Sequence, residues 1–340
     1  MNRERSIREM AEEREYEVLS PYAAHAGDSK GREREEPQCD IRTVYQRDRD
    51  RILHSKSFRR LAHKTQVFIA PMGDHYRTRL THTLEVSQLS RTIAKALRLN
   101  DDLCDAIALG HDLGHTPFGH TGERVLNEIC PLGFAHFKQS IRVVEVLEKN
   151  GEGLNLTWEV RDGILNHRTS GHPSTLEGQI VRFCDKIAYI NHDIDDAERA
   201  GILSEEDIPR TYREILGGST RDRLNTLIHD VIYSSLDRAD IRMSPGIEEA
   251  MMELRKFMFD HVYLNSVAKT EEGKVSRMIT MLYQYYEKHV DEMPQEYIDL
   301  IEKKGQPEPR VVCDYISGMT DQYSISKFRE LFVPQSWQKK

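Results

Sequence analysis

The segment AIALGHDLGHTPFGHTGE gathers His111, Asp112, His115, His120 and Glu123 within thirteen positions, broken by Gly114 and Pro117. Surface solvation explains such density poorly. An adjacent His-Asp pair at a helix end offers one imidazole nitrogen and one carboxylate oxygen to a metal ion, and two further ligands from other helices would complete a site with positions open for water. His111 and His115 also stand four apart, as in the H-E-x-x-H helix of metalloproteases. Here Asp112 replaces the glutamate and the Gly-Thr-Pro break interrupts the helix, which weakens the protease reading.

His82 shares a helical stripe with Val86, Leu89 and Ile93, so its imidazole faces the core. Taken alone, it reads as a core histidine. Farther on, VRFCDKIAYINHDIDDAERA has an apolar stripe at Ile180, Phe183, Cys184, Ile187 and Ile194. Its other face carries Asp185, Tyr189, His192 or Asp193, and Asp196, which reads either as a solvated acidic surface or as a site. The tyrosine among acids favours the site. Upstream, Arg47, Arg49, Arg51, Lys56, Arg59, Arg60 and Lys64 face only Asp48 and Asp50, a pattern that suits a phosphate-rich ligand or a solvated basic helix. Glycine-rich phosphate loops and a G-x-S-x-G elbow are absent, so nucleotide chemistry here must rest on metal and arginine.

The elements that position these residues are helices. Residues 1–16 alternate in charge, 20–40 mix Pro, Gly and charge as a loop, and from about Asp48 the apolar spacing is helical. The spacing predicts a helix over Leu80–Leu99, then one over Leu103–Asp112 capped by Asn100 or Asp101. Further helices are expected over about 121–130, 136–149, 156–166, 175–200, 219–237, 245–265, 270–289 and 307–331. The HPSTLEG loop and residues 201–209 are the minor boundaries. The expected organisation is an arm and loop over 1–40, a catalytic core over 41–200, and a helical extension over 201–340 packed on that core.

At 340 residues a chain buries roughly 75% of its unfolded surface. The 48 basic residues against 56 acidic give a net charge of -8, which disfavours a globally basic nucleic-acid binder. Cys39, Cys104, Cys130, Cys184 and Cys313 are scattered without C-x-x-C spacing, which fits a reducing cytosol. No stretch approaches the roughly 18 apolar residues of a membrane span, and the N-terminus lacks an export-signal pattern. A soluble, unexported protein is expected.

In succession, RRLAHKTQVF, RTRLTHTLEVSQLSRTIA, GHDLGHTPFGHTGE and VRFCDKIAYINHDIDDA resemble, in order and spacing, the motifs of the HD-domain deoxynucleoside triphosphate triphosphohydrolases, the dGTPase-like family. The resemblance is strong over residues 40–200 and weaker to the C-terminus. It implies an all-α HD-domain helical core with additional C-terminal helices. Carried over position by position, it makes His82, His111, Asp112 and Asp185 the ligands of one divalent metal ion, and nothing in that set departs from the pattern. It places His120 and Glu123 beside the scissile bond with His115 nearby, and assigns Gln66, Arg79, Lys186, Tyr189 and Asp193 to substrate contact.

The activity implied is metal-dependent hydrolysis of dNTPs, dGTP among them, to the deoxynucleoside and inorganic triphosphate. Mn, Mg, Fe, Ni, Co and Zn all suit His/Asp ligation to different degrees. His120 either protonates the departing 5′ oxygen or takes a proton from water, with Glu123 orienting its ring. The further partners implied are a dNTP effector, single-stranded DNA and other copies of the chain as a homo-oligomer. The alternatives are an HD phosphodiesterase or 5′-nucleotidase acting on another nucleotide, or a nucleotide-sensing or single-stranded-DNA-binding protein using the 47–64 basic stretch.

Overall fold

A computed structural model describes residues 5–66, 77–263 and 266–334. Residues 1–4 of the expected N-terminal arm, Val67 and Phe68 of the first motif, and 264–265 of the expected 245–265 helix lie outside the described residues. The architecture is all-α: among the described residues there are no strands, only isolated bridges pairing Thr65 with Thr78 and Arg32 with Thr157.

The first half comprises α1 (Ile7–Val18), α2 (Val44–Leu53), α3 (Lys56–Arg60), α4 (Arg79–Leu97), α5 (Asp101–Gly110), α6 (Gly119–Ile129), α7 (His136–Arg142), the short α8 (Glu148–Gly151), α9 (Trp158–Asn166) and α10 (Leu176–Arg199). There follow α11 (Arg210–Leu216), α12 (Thr220–Ser235), α13 (Pro245–Met258), α14 (Ser266–Lys288), α15 (Gln295–Glu302), α16 (Glu308–Ser317) and α17 (Asp321–Phe332).

Local chemistry sets the ends of the helices that matter most. Thr78 caps α4 by accepting from the Thr81 N–H, and Asn100 caps α5 by accepting from the Leu103 N–H. Asp101 and Asp102 in the first turn of α5 complement the helix dipole. Thr175 caps α10 through the Gly178 N–H. The expected 307–331 helix is instead two, because Thr320 accepts from the Tyr323 N–H and starts α17 afresh after Ser317. The expected 136–149 helix ends its regular turns at Arg142 and continues as a π-helical turn over Val143–Leu147. Helices α11 and α15 have no counterpart among the expected segments.

Two apolar cores organise the chain. The first is built on α4, α5 and α10, with α2 and α9 against α5, and it also takes in residues of α12 and α13. Helix α5 is its axis: every residue from Leu103 to Gly110 is buried. Burying side chains such as Leu103 and Ile107 stabilises the fold by about 2 kcal/mol each. The second core joins Val125 and Leu126 of α6 to Ile279, Leu282 and Tyr283 of α14 and to Val311, Val312 and Ile316 of α16. Charged and polar groups stitch the seam: Asp314 of α16 accepts from Arg142 Nη2 at 2.6 Å and from Gln139 Nε2 at 2.9 Å, both on α7. The five cysteines are free thiols. No helix among the described residues is long and apolar enough to cross a membrane.

Candidate metal centre

The first core brings α4, α5 and α10 together so that His82, His111, Asp112 and Asp185 converge. His82 lies on the buried stripe of α4, His111 caps the C-terminus of α5 with Asp112 next in the chain, and Asp185 sits mid-way along α10. His82 Nε2 is 3.1 Å from Asp185 Oδ1 and 4.0 Å from Asp112 Oδ2. His111 Nε2 is 3.4 Å from Asp112 Oδ1 and 3.8 Å from Asp185 Oδ1. Ligand atoms about 2.1 Å from a common ion lie about 3 Å apart at right angles and about 4.2 Å apart when opposite; His82, His111 and Asp112 stand close enough to hold one metal ion, and Asp185 Oδ1 approaches both histidines.

The histidine tautomer supports that fit. His111 Nδ1 donates to the Ala108 carbonyl at 2.6 Å, which leaves the Nε2 lone pair pointing into the cluster. That nitrogen is buried and has no hydrogen-bond partner among the described residues. A buried polar atom of this kind is costly unless something fills the position. Burial pushes both carboxyls up, but neighbouring groups outweigh it. His111, His115 and Arg79 hold Asp112 well below the usual carboxylate range, and the neighbouring His82 and His111 imidazoles do the same for Asp185.

The turn after Asp112 carries the next groups. Gly114 N–H donates to Ser140 Oγ at 2.9 Å, and Ser140 Oγ donates to the His111 carbonyl at 2.7 Å, so α7 is tied directly to the His-Asp turn. No side chain fits at Gly114: a Cβ there would lie 2.1 Å from the Ser140 backbone nitrogen and 2.5 Å from the His136 carbonyl oxygen. His115 Nε2 approaches Asp112 Oδ1 at 3.2 Å, and the His115 ring stacks on His136 at 4.2 Å between centroids. Burial, reinforced by Arg79, keeps His115 neutral well below the ordinary histidine range. Arg79 Nη1 donates to Asp112 Oδ2 at 2.8 Å.

Glu123 and His120 sit on the first turns of α6. Glu123 was expected to orient His120, but its close partner is His136, whose backbone N–H donates to it and whose Nδ1 lies 2.9 Å away. His120 Nδ1 stands 3.9 Å from Glu123 Oε2, and its side chain is 82% exposed, so the ring is held only at the helix backbone. Burial raises the Glu123 carboxyl, yet the nearby His120 and the hydrogen-bonded His136 together hold it well below the usual range.

The residues expected at substrate are spread more widely. Gln66 is buried where the chain leaves Lys64, whose carbonyl accepts from the Arg79 N–H at 3.1 Å. Lys186 and Tyr189 turn toward α13: an Arg255 guanidinium lies 5.5 Å from the Tyr189 ring centroid. Burial, then Arg182, lowers the Lys186 ammonium to about 8. Asp193 is buried, and burial together with Asp196 raises its carboxyl well above the usual range. Most charges of the basic 47–64 stretch have partners within the chain, although Lys56 and Arg59 are exposed. Arg47 and Arg51 pair with Glu36, Arg49 with Asp102, Lys56 with Glu296, and Lys64 donates to the His115 and Ser317 carbonyls.

Three further histidines stand beside the cluster; His192 belongs to the last sequence motif, whereas His136 and His167 lie outside the motifs. His136 opens α7, His192 lies on α10 facing His82, and His167 caps α9 with its ring 5.1 Å from that of His111. His167 repeats the His111 device, Nδ1 donating to the carbonyl three residues back, Ile164, at 2.7 Å. A histidine closing a buried helix was the one sequence signal available for it. Burial, then the charge of His111, lowers the His167 imidazole to about 4.

Comparison with known proteins places this geometry in context. The HD domain pattern matches residues 79–190, and the pattern of a phosphohydrolase-associated domain matches residues 241–330. The chain is 60% identical over 331 residues, 97% of each chain, to a deoxyguanosinetriphosphate triphosphohydrolase-like protein of Caldanaerobacter subterraneus subsp. tengcongensis. It is 51% identical to one of Clostridium perfringens, covering 97% of this chain and 98% of that one. Among solved structures, a phosphohydrolase from Bacteroides thetaiotaomicron shares the fold with a TM-score of 0.52 at 19% identity, over 83% of this chain and 67% of that one.

Proposed function

We propose that this chain, which belongs to the family of deoxyguanosinetriphosphate triphosphohydrolase-like HD-domain phosphohydrolases, hydrolyses deoxynucleoside triphosphates, dGTP among them, to the deoxynucleoside and inorganic triphosphate. The observation that carries this reading is the grouping of His82, His111 and Asp112, with Asp185 beside the histidines, at the unpartnered Nε2 of His111, with Arg79, His115, His136, Glu123 and His120 ranged beside it. In the reaction, the oxygen of water bonds to the α phosphorus, the bond from that phosphorus to the 5′ oxygen breaks, and the 5′ oxygen leaves with a proton as the deoxynucleoside hydroxyl.

His82, His111, Asp112 and Asp185 would hold the divalent ion, which polarises an α-phosphate oxygen and lowers the pKa of a water molecule. Arg79 is anchored on Asp112 by one nitrogen, and its remaining N–H groups stand available to the phosphates as negative charge shifts during cleavage. His120 is free to swing onto the substrate from the first turn of α6, and Glu123, fixed by His136, gives α6 a defined place relative to the cluster. Tyr189 and Lys186 flank the approach along α10, where the ring would pack on the sugar and the ammonium on phosphate.

The test incubates the purified protein with each dNTP, rNTP and nucleoside monophosphate, with Mn or Mg added, and resolves products by ion-exchange chromatography, with His111→Ala as control. Deoxynucleoside plus triphosphate, lost in the variant, supports the reading. Orthophosphate released from nucleoside monophosphates would mark a 5′-nucleotidase instead, and intact nucleotides under all metals and dNTP mixtures would sink a hydrolytic role on these substrates.

A further inference from the structure

His82 has a second nitrogen, and the structure gives it a partner from another helix. Its Nδ1 faces Nδ1 of His192 at 3.5 Å, with the two rings perpendicular and 5.6 Å apart between centroids. On the far side of that ring, His192 Nε2 contacts the Glu85 carboxylate directly. Glu85 lies one turn beyond His82 on α4, and His192 two turns beyond Asp185 on α10. Arg77 Nε stands 3.5 Å from the other Glu85 oxygen, and Arg77 Nη1 lies 3.3 Å from Asp196. The chain of contacts therefore runs Arg77, Glu85, His192, His82, and ends at the metal cluster.

The protons along this chain follow from what each group can do. A carboxylate only accepts, so His192 Nε2 carries the hydrogen it gives to Glu85. A neutral imidazole then has a lone pair on Nδ1, and two nitrogens that face each other share one hydrogen between them. That hydrogen belongs to His82 Nδ1. The consequence is a lone pair on His82 Nε2, the nitrogen that lies 3.1 Å from Asp185 Oδ1. At His111 the same tautomer is fixed by a backbone carbonyl, Ala108, which no substitution removes. At His82 it is fixed by a side chain, which a substitution does remove.

We propose that His192, held by Glu85, is a positioning residue that fixes the tautomer and ring orientation of His82 for cation binding. The proposal rests on the reading of His82 as a metal ligand. Outer partners of this kind orient metal-bound histidines, and their loss typically weakens metal affinity about 10–100-fold.

The experiment measures cation affinity directly, by titrating metal-stripped full-length protein with Mn by calorimetry and with Co by visible absorption. His192→Phe keeps a ring but offers no acceptor, and should weaken binding about 10–100-fold and alter the Co spectrum. His192→Gln offers a carbonyl to His82 and an amide to Glu85, and should restore affinity to within about threefold of wild type on the same scale. Glu85→Leu, at a partly exposed site that tolerates exchange, should shift affinity in the same direction as His192→Phe and keeps the test open if the phenylalanine variant fails to fold. His82→Ala separates the two readings. Loss of binding in His82→Ala with wild-type binding in both His192→Phe and Glu85→Leu overturns the positioning role and leaves the ligand reading intact. Wild-type binding in His82→Ala overturns the ligand reading itself.

Discussion

Phe118 donates its backbone N–H to Asp321 Oδ1 at 3.0 Å, and the other oxygen of the same carboxylate accepts from the Thr65 backbone N–H at 3.0 Å. One side chain at the start of α17 thus holds both the entry to α6 and the strand-like segment that leads to Gln66. Phe118 needs the hold, because its φ of 59° is left-handed and non-glycine residues adopt it only at a cost. Asp321→Ala leaves two inward N–H groups without an acceptor. We expect a loss of about 2–3 kcal/mol in urea unfolding and a larger proportional fall in turnover than in metal affinity. Unchanged stability and turnover would show that the two N–H groups find other partners.

Gly114→Ala should be among the most damaging single-atom additions in the chain. The new Cβ would meet backbone of α7 and not a yielding side chain, so α7 must shift and carry His136 and Ser140 with it. The expected cost is about 3 kcal/mol or more in denaturant unfolding, with loss of turnover in whatever fraction still folds. A variant that melts and turns over like wild type would show that α7 moves freely against the His-Asp turn.

Removal of the divalent ion should be visible without a substrate. If the candidate ligands on this packed core hold an ion, a chelator should lower the melting temperature as well as abolish turnover, and adding back Mn should restore both. At a free-ion level about a hundredfold above its dissociation constant, the ion contributes about 2.7 kcal/mol to folding. Calorimetric melting with and without chelator measures this, and coincident melts would speak against a built metal site.

Glu15 gives the fold a pH dependence of its own. Burial raises its carboxyl to about 7, against the hydrogen bond from the Ala26 N–H at 2.6 Å that favours the charged form. With the folded value above the unfolded one, the native state binds the extra proton. Its stabilising contribution is therefore complete below the unfolded value of about 4.5 and is lost as pH rises through about 7. Glu15→Gln should remove that loss, so the urea midpoints of variant and wild type should diverge between about pH 5 and about pH 8 in the variant's favour. A constant difference between the two proteins across that range would rule the assignment out.

Tyr189→Ala bears on sugar choice. If the ring packs on deoxyribose, its loss opens room for a 2′ hydroxyl and discrimination against rNTPs should fall by about tenfold or more, read as the ratio of kcat/KM values. An enzyme that rejects ribonucleotides as fully as before would move sugar selection to another residue.

The helices and the ligand candidates were legible because both follow from spacing. Asn100 marked the start of α5, whereas His82 on the Val86, Leu89 and Ile93 stripe read alone as a core histidine and entered the candidate ligand set only through the family resemblance. Of the groups around them, His192 stood on the face already read as a possible site, whereas His136 and His167 acquire meaning only when α7 and α9 are packed against α5. The basic stretch shows the same limit in reverse. Its charges read as an offer to phosphate, but Glu36, Asp102 and Glu296 lie far enough along the chain, or in irregular enough backbone, that periodicity gives no hint of them. The break between α16 and α17 was hidden because apolar residues continue across it, and only the cap at Thr320 reveals the new start.

The two cores meet at the chemistry. The ligand quartet stands on the first, whereas His120 and Glu123 ride on a helix whose apolar face belongs to the second. The candidate ligands and the candidate catalytic pair are thus aligned by the packing of one core on the other. Lesions buried among α14 and α16, far from any ligand, should yield an enzyme that still captures its ion and yet idles.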